Sequence, residues 1–378
     1  MNYDFTEQEV TFFAGLTEKI SPLAAGRALD QSAAAASADG LREVLARLAQ
    51  TPYLRLGIEP VEGLNGELSL MGAMEVLASI SPSAYLSVEA STRLFGRAVN
   101  AWGSPEQKAR FLEPLLEGAA IGALGLSEAT LNIKNEPLKT RGEKQGDAFV
   151  VSGAKQYVIN APLADWIAVA GTCEGAPALF LVEKETPGLS VDPPLATLGY
   201  EGAAIAGAAL ENCRIPQSQA IFAEERTSMP KILRQWEDQV LLGASLGLSK
   251  TAFESARDYA KSHKSGGKPI IAYQEVGFKL AEMLTLFQTA QLLAYRTAWN
   301  LDTAAAEADE LVDCAKVFCT EAAEQIASEA LKILGGAGFT AGNPVEQAYR
   351  CAKYGQIAGT STEIARVNIG DAALGYRN

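Results

Sequence analysis

One carboxylate in the C-terminal half of the chain shares a helix face with aliphatic side chains. Glu237 is followed at three- and four-residue spacing by Val240, Leu241 and Ala244, so the four side chains lie on one side of a helix. Such a carboxylate is either a first-turn residue that the helix dipole stabilises or a general base whose pKa burial raises. Because acidic residues are common in first turns, the spacing alone favours the first interpretation.

A second candidate is the Ser127-Glu128 pair, which follows the apolar run from Ile121 to Leu126. A serine hydroxyl at this place could hydrogen-bond a ligand, and it could equally cap a chain reversal. The residues alone leave both interpretations open.

Composition and charge exclude several other classes of function. The net charge of −13 argues against a nucleic-acid binder that relies on a broad basic face, because phosphates would be repelled. The single histidine, His263, cannot build a His-based zinc site. Five cysteines without Cys-x-x-Cys spacing are typical of reduced, mostly buried thiols. We therefore expect neither a metal site nor a nucleic-acid partner.

The sequence predicts neither a membrane span nor an export signal. No apolar stretch is long enough to span a bilayer, and the N-terminus is acidic where a signal peptide would be basic. We expect a cytoplasmic protein without a membrane span. Two glycine patterns, at residues 336–338 and 267–268, match neither a dinucleotide turn after a strand nor a P-loop, and both are typical of turns.

Apolar periodicity divides the chain into three regions. Helical spacing predicts helices at 5–29, 40–49, 68–80 and 84–101, and a further helix after a Ser104 cap. Short β-type runs follow at 148–152, 155–159, 165–171, 178–183, 189–191 and 205–211. Helical spacing returns at 230–263, 272–302, 308–334 and 361–374. The sequence thus predicts an α+β fold: an N-terminal helical domain (1–123), a central antiparallel β domain (124–226) and a C-terminal four-helix bundle (227–378).

Several short motifs are spread over nearly the whole chain. They are GSPEQK at 103–108, LSE at 126–128, ENCRIP at 211–216, GKPI at 267–270, LGGAGF at 334–339, PVE at 344–346 and GTS at 359–361. Their order resembles that of the acyl-CoA dehydrogenase family, which has the same three-domain fold that the periodicity predicts.

The resemblance implies a reaction and a cofactor. Family members bind FAD, whose AMP end reaches a neighbouring subunit. A glutamate removes the α-proton of an acyl thioester, the β-hydrogen leaves as hydride to the flavin, and electrons usually pass to an electron-transferring flavoprotein. The family's common base precedes a Gly-Thr pair, where this chain has Gln356-Ile357-Ala358 and no carboxylate. A minority of members carries the base on the first helix of the bundle, and Glu237 matches that position.

The same resemblance assigns candidate flavin contacts, several of which depart from the family pattern. The family's Trp-Ile-Thr is Tyr157-Val158-Ile159, its interface arginine aligns with His263, and its glycine-rich loop is replaced at residues 129–134. An imidazole is a poor replacement for a bidentate guanidinium. The candidate cofactor contacts are Ser127, Tyr157, Ile159, Asn160, His263, Gly336, Gly338 and Ser361.

Three hypotheses follow from these residues. The first is a divergent acyl-CoA dehydrogenase that uses Glu237 as base and FAD as hydride acceptor, acting on a CoA or carrier-protein thioester. The second is a non-catalytic, FAD-poor subunit of a heteromeric dehydrogenase. The third is a family member with non-dehydrogenating flavin chemistry. Glu237 favours the first, and we expect a homo-oligomer or a heteromer with a related subunit.

Overall fold

The N-terminal third of the chain is helical, as its apolar spacing predicts. In this computed structural model, which describes residues 4–25, 37–129, 138–223, 228–304 and 307–376, its helices are α1 (Glu7–Ala25), α2 (Ala38–Leu48), α3 (Gly66–Ile80), α4 (Pro82–Glu89), α5 (Arg97–Trp102), α6 (Pro105–Gln107) and α7 (Glu113–Leu116). Short 3₁₀ turns at Pro52–Leu54, Glu201–Ala203, Gln217–Gln219, Ile270–Ala272 and Gly335–Ala337 join elements along the whole chain.

The predicted helix at 84–101 is helical throughout but not uniform. Between α4 and α5, the segment Ala90–Gly96 is π-helical, and a second π-helical segment, Lys108–Leu112, separates α6 from α7. The Ser104 cap is confirmed: its hydroxyl accepts from the Gln107 amide at 3.2 Å, and the Gln107 side chain accepts from the Ser104 amide at 2.8 Å. This reciprocal pair satisfies two amides that the helix start leaves open.

The described residues in the middle of the chain form one eight-stranded sheet. Its strands are β1 (Gly122–Gly125), β2 (Arg141–Gln145), β3 (Ala148–Val158), β4 (Trp166–Cys173), β5 (Ala176–Glu183), β6 (Leu189–Val191), β7 (Ala206–Pro216) and β8 (Ala220–Ile221). The order is β6-β7-β3-β2-β4-β5-β8, with β1 beside β4. The pairs are antiparallel except β1 with β4 and a single residue pair between β2 and β4.

The two strands predicted at 148–152 and 155–159 form a single strand, β3. Its pairing with β7 shifts register between Val151 and Gly153 and again between Lys155 and Val158. Such bulges redirect side chains without ending a strand. Gly153 therefore interrupts the alternation of side chains in the sequence although the strand continues. The second shift lies next to Tyr157.

Among the described residues, the C-terminal region consists of five helices rather than the four predicted segments. They are α8 (Met229–Ser262), α9 (Gln274–Asp302), α10 (Ala308–Leu334), α11 (Pro344–Ile357) and α12 (Thr362–Ala373), with a two-stranded hairpin of β9 (Lys264–Ser265) and β10 (Lys268–Pro269) after α8. The sequence analysis missed α11. Its signal is the Asn343 cap, whose side chain accepts from the Val345 amide at 2.9 Å.

The residues divide into two units, each made from separate stretches of chain. The first unit comprises Met1–Ser21, Glu62–Tyr85 and Glu237–Asn378, and the second comprises Pro22–Val61 and Leu86–Trp236. A cluster of buried residues from α3, α8, α9 and α10 forms a core of the first unit: Met71, Leu242, Leu246, Ala290, Ala294, Ala298, Ala315 and Cys319. In the second unit, strands β4 and β5 are buried over most of their length.

The long helices of the first unit have a defined relative direction. Leu246 shares the core cluster with Ala294, and Phe253 lies 6.4 Å from Phe287 between ring centroids. As α8 advances, its partners on α9 therefore move back along the chain, so these two helices are antiparallel.

Helix α9 is also antiparallel to α10. Lys279 at the start of α9 pairs with Glu329 near the end of α10 at 2.7 Å, and Thr297 near the end of α9 donates to the Leu311 carbonyl near the start of α10 at 3.4 Å. It follows that α8 and α10 run in the same direction, and that the residues following these two helices lie at the same end of the unit.

The cysteines agree with the sequence analysis. Four of the five are buried, Cys314 is half-buried, and all five are free thiols. Burial raises the pKa of the Cys319 thiol to about 12, so it is protonated at neutral pH. Within the described ranges, no helix is both long and apolar enough to cross a membrane.

Candidate functional site

The candidates in the second unit are gathered where β3 ends. The Gln156 amide donates to the Ser127 carbonyl at 2.9 Å, which places Ser127 alongside the strand that leads to Tyr157. Tyr157 is 63% exposed and has φ +57°, a conformation that a bulky residue rarely adopts. Strained residues persist where the surrounding structure imposes them, and they are common at ligand sites.

A buried ion pair supports this segment from inside the sheet. Lys155 Nζ lies 2.6 Å from Glu128 Oε1, and the two side chains are 0% and 5% exposed. Lys155 Nζ also donates to the Leu126 carbonyl at 3.3 Å. Glu128 accepts from the Thr140 hydroxyl and amide at 2.7 and 3.0 Å and from the Lys139 amide at 2.7 Å. Ser127 is thus held between two anchored neighbours.

The pKa values of this pair move for different reasons. Burial lowers the pKa of Lys155 to about 8, against the hydrogen bond and attraction of Glu128. Burial would raise the pKa of Glu128, but the hydrogen bonds from Lys155, Thr140 and Lys139 outweigh it and hold that pKa below its usual range. The carboxylate is therefore ionised at neutral pH and serves as an anchor rather than as a proton donor.

Asn160 lies at the end of this segment, and only one side of its amide group is hydrogen-bonded within the described residues. Its Nδ2 donates to the Ser87 carbonyl at 2.8 Å and to the Gly122 carbonyl at 3.2 Å. Within the described ranges, Asn160 Oδ1 is buried and has no hydrogen-bond partner. An orphaned buried oxygen of this kind suits a ligand that offers a hydrogen-bond donor. Ile159 is half-buried and carries no hydroxyl.

Glu237 lies in the first unit, two turns inside α8. The helix begins at Met229, so the first-turn interpretation of this carboxylate is wrong. The sequence favoured it because acidic residues are common in first turns. Val240, Leu241 and Ala244 are buried, whereas Glu237 is half-buried. A general base needs a partly desolvated side chain, and a half-buried carboxylate on an aliphatic helix face meets this requirement.

The segment between α11 and α12 lies against α8 next to Glu237. The Thr360 amide donates to Asp238 Oδ1 at 2.8 Å, and Lys316 of α10 donates to the Ala358 carbonyl at 2.7 Å. Ser361 begins α12 as its cap and accepts from the Ile364 amide at 3.4 Å. The structure therefore brings Ser361 and Glu237 to one region of the unit.

His263 and the two glycines lie at the other end of the same unit. Glu237 is about 38 Å from the end of α8 at 1.5 Å per residue. His263 follows α8 directly and stacks on Tyr259, with ring centroids 4.7 Å apart. Gly336 follows α10 and is exposed, and a Cβ added to it would meet open space among the described residues. Within one chain, these residues cannot meet Glu237.

Most of the chain matches one family in three successive parts. Residues 16–119, 123–213 and 235–374 match the N-terminal, middle and C-terminal domains of acyl-CoA dehydrogenases. The human mitochondrial short-chain specific acyl-CoA dehydrogenase is 31% identical over 81% of this chain and 76% of its own length. The chain belongs to the acyl-CoA dehydrogenase family.

Other relatives agree with this assignment. Benzylmalonyl-CoA dehydrogenase from Aromatoleum aromaticum is 28% identical over 98% of both chains. The structure of butyryl-CoA dehydrogenase from Megasphaera elsdenii superposes with a TM-score of 0.87 at 23% identity, over 99% of this chain and 100% of that one. The predicted fold, with helical, β and helical regions in that order, is confirmed as that of an acyl-CoA dehydrogenase.

For a family member, the described residues fit a flavin in part. The exposed Tyr157 ring, the orphaned Asn160 oxygen and the open space around Gly336 could each receive part of such a ligand. Gly338 is buried, and a Cβ there would lie 2.9 Å from Leu334 Cβ. The close packing at the end of α10 is therefore a second reason for a glycine at this position. The replaced glycine-rich loop at 129–134 lies, apart from Ala129, outside the described residues.

Sequence reasoning missed the charged residues that anchor these candidates. Lys316 falls among Val312, Cys319 and Ala323 on the apolar stripe of α10, and a lysine in such a stripe is a signal for a paired, buried charge. Lys155 and Asp238 gave no comparable signal, because their partners are distant in sequence.

Proposed function

We propose that this acyl-CoA dehydrogenase family member catalyses flavin-dependent α,β-dehydrogenation of an acyl thioester, with Glu237 as the α-proton base. Family membership supports the class of reaction. Two of the relatives named above differ in acyl group, one short-chain and one benzylmalonyl. We therefore propose a CoA or carrier-protein thioester as the substrate class, without assigning its acyl chain.

The position of Glu237 beside the segment 358–361 carries the proposal. The family resemblance puts the common base just before Gly359-Thr360, where this chain offers Ala358. The bond from Thr360 to Asp238 brings that segment against α8 one residue from Glu237. A carboxylate is thus present near the expected place although it comes from another element.

The surroundings of Glu237 suit proton removal from carbon. The α-proton of a thioester is weakly acidic, so the base must be partly desolvated and the thioester carbonyl must be polarised. Val240 and Leu241 provide aliphatic surroundings on the same helix. Bound FAD would supply the hydride acceptor. The residues proposed to contact it are Ser127, Tyr157, Ile159, Asn160 and Ser361.

Three candidate residues would then contact the cofactor of a neighbouring subunit, because they lie at the end of the first unit that is far from Glu237. They are His263, Gly336 and Gly338. Exposed apolar side chains on the first unit support an oligomer: Phe278 and Leu292 on α9 are 66% and 58% exposed, and Phe339 is 88% exposed. We propose a homo-oligomer or a heteromer with a related subunit, and an electron-transferring flavoprotein as electron acceptor. Cytoplasmic localisation and the domain boundaries after residues 123 and 226 stay predictions from the sequence.

A second candidate function is a non-catalytic, FAD-poor subunit. Two features favour it: Ile159 offers no hydroxyl to the flavin, and the exposed His263 stands where the family has an arginine. A chain of this kind would contribute its surface to a partner that holds the cofactor. Titration of the purified chain with FAD separates the two candidates, because the subunit hypothesis predicts no stoichiometric uptake.

The role of Glu237 is tested by α-proton exchange in deuterated water. Glu237→Gln removes the base while keeping the shape of the side chain, so we expect exchange and turnover to be lost with the fold intact. Glu254→Gln is the matched control, because Glu254 is also a half-buried glutamate of α8. Unchanged turnover in Glu237→Gln removes Glu237 from the mechanism, and a flavin-loaded chain without any exchange would favour non-dehydrogenating chemistry.

A further inference from the structure

Two charged side chains are buried together next to Glu237. Asp238 of α8 is 2% exposed and Lys316 of α10 is 0% exposed, and Lys316 Nζ lies 3.2 Å from Asp238 Oδ1. Burying two charges is costly even when they attract each other, unless further hydrogen bonds satisfy both groups. The other partners of this pair therefore indicate what it does.

Both charges also bind the backbone of one turn. Lys316 donates to the Ala358 carbonyl at 2.7 Å, and Asp238 accepts from the Thr360 amide at 2.8 Å. Gly359 between them has φ +62°, and a Cβ there would lie 2.3 Å from Asp238 Oδ1. A positive φ and so close an approach both require glycine. The lysine donates to a carbonyl of the turn and the aspartate accepts from an amide of the turn, so the pair binds both kinds of backbone polar group.

We propose that Asp238 and Lys316 are positioning residues that fix the turn 358–361 beside Glu237. The inference rests on the proposed function, since Glu237 is the group whose surroundings the turn would shape. A Cβ at Gly359 would also lie 3.1 Å from Leu241 Cδ1, and Leu241 shares a helix face with Glu237, so a shift of the turn changes the space on the face that carries this carboxylate. The turn also ends in Ser361, a proposed flavin contact. One buried pair thus links the helix of the base to a segment that lines the cofactor.

Two neutral double variants distinguish between two roles of the pair: mutual neutralisation of two charges, and positioning of the turn. Asp238→Asn with Lys316→Met removes both charges but keeps an oxygen that can accept from the Thr360 amide. Asp238→Leu with Lys316→Met removes both charges and that oxygen. Neither variant leaves a buried unpaired charge, so both are expected to fold, which circular dichroism checks. They differ in the acceptor offered to the turn.

The decisive measurement is hydrogen exchange at the Thr360 amide, together with steady-state kinetics. We expect the leucine variant to exchange this amide about tenfold or more faster than the asparagine variant, because a hydrogen bond to a buried acceptor is lost. We also expect its kcat to fall further than its KM changes. Equal Thr360 protection in the two variants would overturn the proposal. Exchange is measured without substrate, so an inactive wild-type chain would refute the proposed function while the turn is still tested.

Discussion

Replacing Glu128 by glutamine tests the buried ion pair of the second unit. Lys155 is fully buried, and Glu128 is its charged partner at 2.6 Å. In Glu128→Gln, the lysine keeps a hydrogen bond to the Leu126 carbonyl at 3.3 Å but loses its opposite charge. Removing one partner of a buried pair typically costs about 3–5 kcal/mol.

The pKa of Lys155 sets an upper limit to this cost. Without Glu128, the pKa falls below its present value of about 8, from a reference value of 10.5, so the folded variant escapes the buried charge by losing the proton. Relative to the wild type, whose Lys155 has a pKa of about 8, this neutralisation costs about 1.4 kcal/mol at pH 7 and almost nothing at pH 9, because each pH unit below that pKa adds about 1.4 kcal/mol. The unfolded chain then binds more protons than the folded one, so the stability of the variant rises with pH.

Urea unfolding at pH 7 and pH 9 measures both effects. Tryptophan fluorescence reports on the second unit, which contains Trp102, Trp166 and Trp236. Asp147→Asn is the control, because its partner Arg214 is 61% exposed and Asp147 is 91% exposed, so the loss is expected below about 1 kcal/mol at either pH. A penalty for Glu128→Gln that does not fall between pH 7 and pH 9 would refute this reasoning.

Three further predictions concern a cap, a packing contact and the cofactor. Ser104→Ala removes the capping box and is expected to cost about 1 kcal/mol in urea unfolding; no loss would contradict the observed cap. Gly142→Ala would place a Cβ 2.2 Å from Phe180 Cζ, and we expect a loss of about 1–3 kcal/mol, compared with no loss for Gly277→Ala in helix α9, where an added Cβ would meet open space among the described residues. His263→Arg is expected to tighten FAD binding about tenfold in a fluorescence titration, because a guanidinium binds phosphate better than an imidazole; unchanged affinity would exclude this residue from the cofactor.

Much of the fold follows from apolar periodicity. Helix α10 and strand β6 have the predicted limits, and α8, α9 and α12 differ from prediction by at most two residues at either end. The errors have physical causes. Gly153 interrupts the alternation of β3, which nevertheless continues through a bulge that only the pairing with β7 reveals. Helix α11 was missed although the Asn343 cap before Pro344 is a local signal for its start.

The candidate site was predictable only where a motif names it. Ser127 and Glu237 stand at motif positions, whereas Lys155 and Asp238 are recognised through partners on other elements, namely Glu128 and Lys316. Residue spacing contains no information about such long-range pairs. Residue spacing also favoured the first-turn interpretation of Glu237, which the start of α8 at Met229 excludes.

The most direct test of the proposed dehydrogenase is the visible absorption spectrum of the chain purified alone, with FAD added in excess and then removed. Acyl-CoAs of different lengths are then added without oxygen to the wild type and to Glu237→Gln. The proposal predicts a stoichiometric flavin band that bleaches with a suitable acyl-CoA in the wild type and persists in Glu237→Gln. A colourless chain that takes up no FAD, or equal bleaching in the variant, would contradict it.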